Sequence, residues 1–146
     1  VEVKDMLFTQ IDPTLARMWN TTDDIDYSDW GTEIGAGINF DGMCNSIISN
    51  CWFHGLAGIG ISFTNKCWNN RVVDCFFWLV CDGLPGDGPV WPRGAITFEE
   101  LENQHDHKIM GCTFSGLEPE FGGNLWNVVA IAGGNAVNLE IMTCKF

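Results

Sequence analysis

A chain of 146 residues is long enough to form one domain with a real core. Its formal net charge of −12, with only seven Lys and Arg, leaves no basic footprint for nucleic acid or for an anionic membrane surface. Although 46% of the residues are hydrophobic, no run approaches the ~18 apolar residues of a membrane span, so a soluble chain without membrane insertion is expected.

Residues 1 to 34 carry no clear copy of a repeat. Val1 to Phe8 alternates as a strand does, Pro13 to Trp19 has room for a helical turn or two, and Thr21 to Asp29 is an acidic loop. This part reads as a divergent N-terminal rung with a long excursion. No charged n-region or cleavable apolar segment opens the chain. Because the sequence starts at Val1 and stops at Phe146 inside a repeat copy, a fragment of a longer protein is expected.

From residue 35 onward two short patterns alternate. The first is an apolar pair, Ile38 with Phe40, Ile61 with Phe63, Ile96 with Phe98, and Ile131 with its neighbours. The second places Asn or Asp, then Ile or Val, then Cys, then Phe at fixed offsets. Its copies are Asn45, Ile48, Cys51, Phe53; then Asn69, Val72, Cys75, Phe77; then Asp106, Ile109, Cys112, Phe114; and last Asn138, Ile141, Cys144, Phe146. Repetition at steps of 24, 37 and 32 residues between the cysteines argues for a solenoid with loops added to some turns. The added lengths fall at residues 80–93 and 115–127, on one edge, where a loop can grow without disturbing stacked strands.

Cys and Phe two residues apart share one side of a strand and are expected to face inward. Ile three residues before Cys has the wrong parity for an unbroken strand, so a bend is expected between them. The leading Asn or Asp sits at a corner: it tolerates left-handed backbone and can exchange amide hydrogen bonds with its equivalent ~4.8 Å away. Four of the seven cysteines hold one repeat position, where a small buried hydrophobe suits a ladder. Free thiols and assembly in a reducing cytoplasm are favoured over disulfides. Cys44, Cys67 and Cys81 show no C-x-x-C spacing, and neither zinc nor a cofactor is expected.

The Asn45, Asn69 and Asn138 corners, with NSIISNCWFHGLAGIGISF and NNRVVDCFFWLV, resemble the repeats of the pectate-lyase-type right-handed parallel β-helix over residues 35 to 146. Among owners of that fold the reduced cysteines and uneven loops are most similar to bacteriophage tailspikes and capsule depolymerases. The resemblance implies an all-β, single-stranded solenoid of about four rungs in a homotrimeric virion tail protein. Such a protein is assembled in the host cytoplasm beside other virion tail proteins, and it binds, and often cleaves, a bacterial surface polysaccharide. The G-H-G and R-I-K motifs of polygalacturonases and the arginine-bearing calcium site of pectate lyases are missing, so no catalytic residue carries over by motif. A non-catalytic structural or adhesive β-solenoid and a secreted polysaccharide lyase are the competing classes.

Candidate sites follow from the outward positions. Trp52 and Phe76 share one, His54 and Trp78 the next, giving an aromatic wall on which sugars stack, or against which a loop or partner subunit is buried. On the other wall the outward residues are expected to be small: Gly37, Gly60, Ala95 and Ala130, then Asn39, Ser62, Thr97 and Ala132. Asp41 and Glu99 come next, two rungs or about 9.6 Å apart. That lies near the upper end of the ~6.5 to 9.5 Å used when one carboxyl protonates a leaving oxygen and the other activates water. They are the candidate glycosidase pair, with solvated rim charges as the simpler reading. Asp82, Asp87, Trp91 and Arg93 form a candidate sugar-binding rim on a Gly- and Pro-rich loop whose residues equally suit turn formation. Asp82 and Asp87 lack the further ligands calcium needs. His105 and His107 flank the Asp106 corner, so their rings are expected to diverge within a solvated polar turn, not to share a metal.

Overall fold

The computed structural model describes residues 1–9, 36–56, 59–80, 93–98, 104–115, 128–133 and 136–146. In chain order the first repeat contains β1 (Glu2–Lys4), β2 (Leu7–Thr9) and β3 (Ala36–Asp41). The second contains β4 (Ile47–Ser49), β5 (Trp52–Leu56) and β6 (Ile59–Thr64), and the third β7 (Arg71–Val73), β8 (Phe76–Val80) and β9 (Arg93–Phe98). The fourth contains β10 (Gln104–His105), β11 (Lys108–Met110), β12 (Thr113–Ser115) and β13 (Val128–Gly133), and the fifth β14 (Ala136–Val137) and β15 (Glu140–Met142).

The described residues are all strand, bridge or connection, with no helix. Every strand pairs in parallel with its equivalent in the neighbouring repeat. The result is a five-stranded sheet β1-β4-β7-β11-β15, two four-stranded sheets, β2-β5-β8-β12 and β3-β6-β9-β13, and the short pair β10-β14. This connectivity is consistent with a β-solenoid. Register is in phase with the sequence repeat: Ile48 sits between Val3 and Val72, and Ile109 between Val72 and Ile141. Residues 1–9 belong to this stack. The single strand expected over Val1 to Phe8 is two three-residue strands, because Asp5 takes φ 56 and turns the chain between them.

The bend expected between Ile and Cys is present in each repeat at the residue before Cys: Asn50 (φ 50), Asp74 (φ 51), Gly111 (φ 65) and Thr143 (φ 54). Left-handed backbone costs an ordinary L-residue roughly 1–2 kcal/mol, and Asn or Asp less, because the short side chain bonds locally. The corners expected at the leading Asn or Asp are also left-handed, at Asn45, Asn69, Asp106 and Asn138. They form ladders as expected: Asn69 Nδ2 donates to Asn45 Oδ1 at 2.7 Å, and Asn138 Nδ2 to Asp106 Oδ1 at 3.0 Å. At the bends Asn50 Nδ2 donates to Asp5 Oδ1 at 2.7 Å. At Gly111 a Cβ would run into Asp74 Oδ1, so the missing side chain makes room for the carboxylate of the repeat before.

Between the sheets lies the core, in which Ile48, Val72 and Ile109, Cys51, Cys75 and Cys112, and Phe53, Phe77 and Phe114 are all buried. Phe8, Phe53, Phe77, Phe114 and Phe146 stack in one file, with centroids 4.7–5.3 Å apart and planes within 7° of parallel. That spacing is the strand separation itself, and each such contact adds roughly 0.5–1.5 kcal/mol beyond burial. Phe40, Ile61, Phe63, Ile96 and Phe98 supply the opposite side of the core.

The six described cysteines are free, as expected for a ladder. Each ladder thiol points at the carbonyl two residues before it: Cys51 at Ser49 (3.3 Å), Cys75 at Val73 (3.3 Å), Cys112 at Met110 (3.5 Å) and Cys144 at Met142 (3.4 Å). Contact with the Cys112 thiol, and then burial, push the Cys75 thiol far above its ordinary range, so this thiol stays protonated at neutral pH.

The outward placement expected for Gly37, Gly60 and Ala95 does not hold. Ladder pairing runs from Ala36↔Ile59 to Ile38↔Ile61 and from Val129↔Gly94 to Ile131↔Ile96, omitting the position between. At that interruption the residue turns inward. A Cβ on Gly60 would lie 2.7 Å from the Ala95 carbonyl and 3.0 Å from the Phe77 ring, and Ala95 itself is fully buried. These residues are small because the Phe file crosses the core to meet them.

Candidate functional site

The outer face of β5 and β8 carries the aromatic side chains expected there. Trp52 is 56% exposed and Trp78 43%, with Phe76 and His54 half-buried beside them. Parallel register places Trp52 against Phe76 and His54 against Trp78. The first pair meets at 5.3 Å and is tilted by 44°; the second stacks at 4.6 Å with planes 9° apart. Alternation along a strand puts the core Phe53 and Phe77 on the opposite side of the same backbone, so the rigid Phe file fixes the outer rings. In the next repeat the aromatic rows end: Thr113 follows Phe76 and Ser115 follows Trp78.

A second aromatic contact, not anticipated from the sequence, lies beside the corner ladder. Trp68 and His105 stack at 6.0 Å with planes 4° apart, on a bridge series that runs Cys44, Trp68, His105. Both residues directly precede a corner, Asn69 or Asp106, and that shared offset was the available signal. His105 Nδ1 lies 2.8 Å from Asp106 Oδ2. The hydrogen bond with His105, followed by the one from Asn138, holds the Asp106 carboxyl below its usual range.

His105 and His107 diverge as expected, but His107 is no part of a solvated turn. It is 1% exposed, its ring 5.0 Å from both Phe63 and Phe98. A polar file explains its position: Ser46 N donates to Asn70 Oδ1 at 2.9 Å, and Asn70 N donates to His107 Nδ1 at 3.3 Å. Burial pulls the His107 imidazole down to about 4. Since Nδ1 accepts, the neutral ring carries its proton on Nε2.

Asp41 is exposed at the end of β3, where its carboxylate accepts a hydrogen bond from Asn65 Nδ2 of the next repeat. With Asn65 at φ 56, this contact is another corner ladder. Glu99 lies outside the described residues, as do Asp82, Asp87 and Trp91, and Arg93 is described only as the start of β9. The row expected to form a shallow open wall is uneven: Asn39 is exposed, Thr97 half-buried, and Ser62 and Ala132 buried. Among the described residues, the aromatic outer face of β5 and β8 is the candidate site, with Trp52 and Trp78 exposed on it. Among them, too, no three His, Cys, Asp or Glu side chains gather as a metal site, and no helix is long and apolar enough to cross a membrane.

No protein-family model, curated protein or solved structure matches the chain.

Proposed function

We propose that this chain is a segment of a right-handed parallel β-helix that binds bacterial surface polysaccharide through its aromatic face, in the manner of a homotrimeric phage tailspike. The single observation that supports this reading most is the stacked, solvent-facing set Trp52, Phe76, His54 and Trp78, held in register by a buried Phe file. Rigid exposed rings present apolar faces to the C–H side of a sugar at little entropic cost, and polar residues around them serve its hydroxyls. Hydrolysis falls to Asp41 and Glu99 under the two-carboxylate scheme. The Asn65 contact gives Asp41 a corner role as well.

The test is to incubate the purified protein with polysaccharides from bacterial surfaces, measuring bound glycan, released oligosaccharide and native mass together. A trimer that retains glycan supports the proposal. Released oligosaccharides that vanish in the Asp41→Asn, Glu99→Gln double variant assign the hydrolytic pair. A trimer that ignores every glycan points to the adhesive or structural solenoid, with the aromatic face as subunit contact. A monomer with calcium-dependent elimination points to a lyase.

A further inference from the structure

The aromatic rows do not run the length of the sheet, and where they stop no described ring follows Trp78 in register. Trp78 has two in-register neighbours, His54 on one side and Ser115 on the other. Its His54 side is occupied by a ring 4.6 Å away and 9° from parallel. Because those planes stack along the direction of the repeats, the second face of the indole looks toward Ser115. A serine side chain is too short to cover an indole, and both residues are exposed. Among the described residues, no ring therefore stands at the level of the next repeat, one strand spacing of ~4.8 Å or about the separation of stacked rings away, and Ser115 and Thr113 take the positions in register with Trp78 and Phe76.

We infer that this position beside Trp78 seats one uncharged pyranose ring of the bound glycan, its C–H face on Trp78 and its hydroxyls on Ser115 and Thr113. This rests on the glycan-binding reading above and narrows it to a position and a sugar class. The charge balance selects the class. A chain at −12 repels a polyanion over about a Debye length, and exposed Asp74 lies at the bend that leads into β8. Lys145, bridged to Thr113 in the last repeat, is the described cation nearest in register to the seat. One exposed ammonium is a weak anchor for an acidic polymer in water, and the seat itself offers hydroxyls and a π-face, not guanidinium or ammonium forks.

The experiment titrates the full chain, by calorimetry, with neutral hexose oligosaccharides and with hexuronate oligosaccharides. It compares wild type with Ser115→Trp, Trp78→Ala, Trp78→Phe and Lys145→Gln, and records each melting temperature. Neutral sugars are expected to bind. Ser115→Trp extends the ring stack into the seat, so it is expected to weaken binding at least tenfold while leaving the melting temperature equal or higher. Trp78→Ala is expected to lose binding, and Trp78→Phe, which keeps a ring face, to stay within a few-fold of wild type. Neutral binding that survives Ser115→Trp overturns the seat. Hexuronate binding that disappears in Lys145→Gln overturns the uncharged class while leaving the glycan reading intact. Binding of neither sugar set overturns both, and the aromatic face is then a protein contact.

Discussion

His107 shows most clearly how one side chain reports on the core. Above pH ~6.5 the imidazole is neutral in both folded and unfolded chains, and stability is level with respect to it. Between ~6.5 and about 4 the unfolded chain binds the proton and the folded one does not, so stability falls as pH drops, by about 1.4 kcal/mol per pH unit. Urea midpoints measured from pH 7.5 down to 4.5 are expected to show this slope. It is expected to flatten in His107→Asn, which copies the Asn70 position of the neighbouring repeat. A slope unchanged in that variant would assign the acid sensitivity elsewhere. The burial of His107 was not legible from its neighbours, because Asp106 and His105 mark a polar corner. The signal lay one repeat away, in its alignment with Ser46 and Asn70. Gly60 is the other instructive residue. Parity alone places it outward, but the skipped ladder pair turns it in, and Gly60→Ala is expected to cost about 1–3 kcal/mol through contact with the Ala95 carbonyl and the Phe77 ring. Thermal denaturation of this variant gives the check.

At the scale of a strand, one backbone serves two purposes. β8 sends Phe77 into the core and Phe76 and Trp78 to the outer face, so truncations along it should separate stability from binding. Phe77→Ala is expected to destabilise by about 3–5 kcal/mol, since it breaks the ring file and leaves a cavity. Trp52→Ala, at an exposed position of β5, is expected to cost under about 1 kcal/mol while weakening glycan binding. Parallel denaturation and titration experiments decide this, and equal stability losses would mean that the outer rings are structural. The alternation behind these faces was legible in the Cys-x-Phe spacing. The five-residue step from corner to bend was legible only in part. Asn and Asp mark most left-handed positions, whereas Gly111 and Thr143 occupy the same bend with different chemistry. Asp41 shows the reverse difficulty: a carboxylate at the end of a strand suits acid-base catalysis and a corner hydrogen bond equally well, and only its contact with Asn65 brings out the second use.

For the whole molecule, the stack of repeats carries every other statement. Cys over Cys, Phe over Phe and corner amide over corner amide place Trp78 beside His54 on one side and Ser115 on the other. They also make residues 1–9 a full member of the stack, with Val3 under Ile48 and Phe8 under Phe53. That membership was written in the sequence as Val3, Met6 and Phe8 at the template spacing, and it was masked because Met stands where the other copies have Cys. The most direct measurement is a nuclear Overhauser experiment on protein labelled at Phe, Ile and Val, read for contacts between residues of successive repeats. Cross-peaks linking Phe8, Phe53, Phe77 and Phe114 in that order, and Ile48 to Val72 to Ile109, are the predicted result. Rings that show contacts only within their own repeat would contradict the stack and, with it, the proposed glycan-binding face.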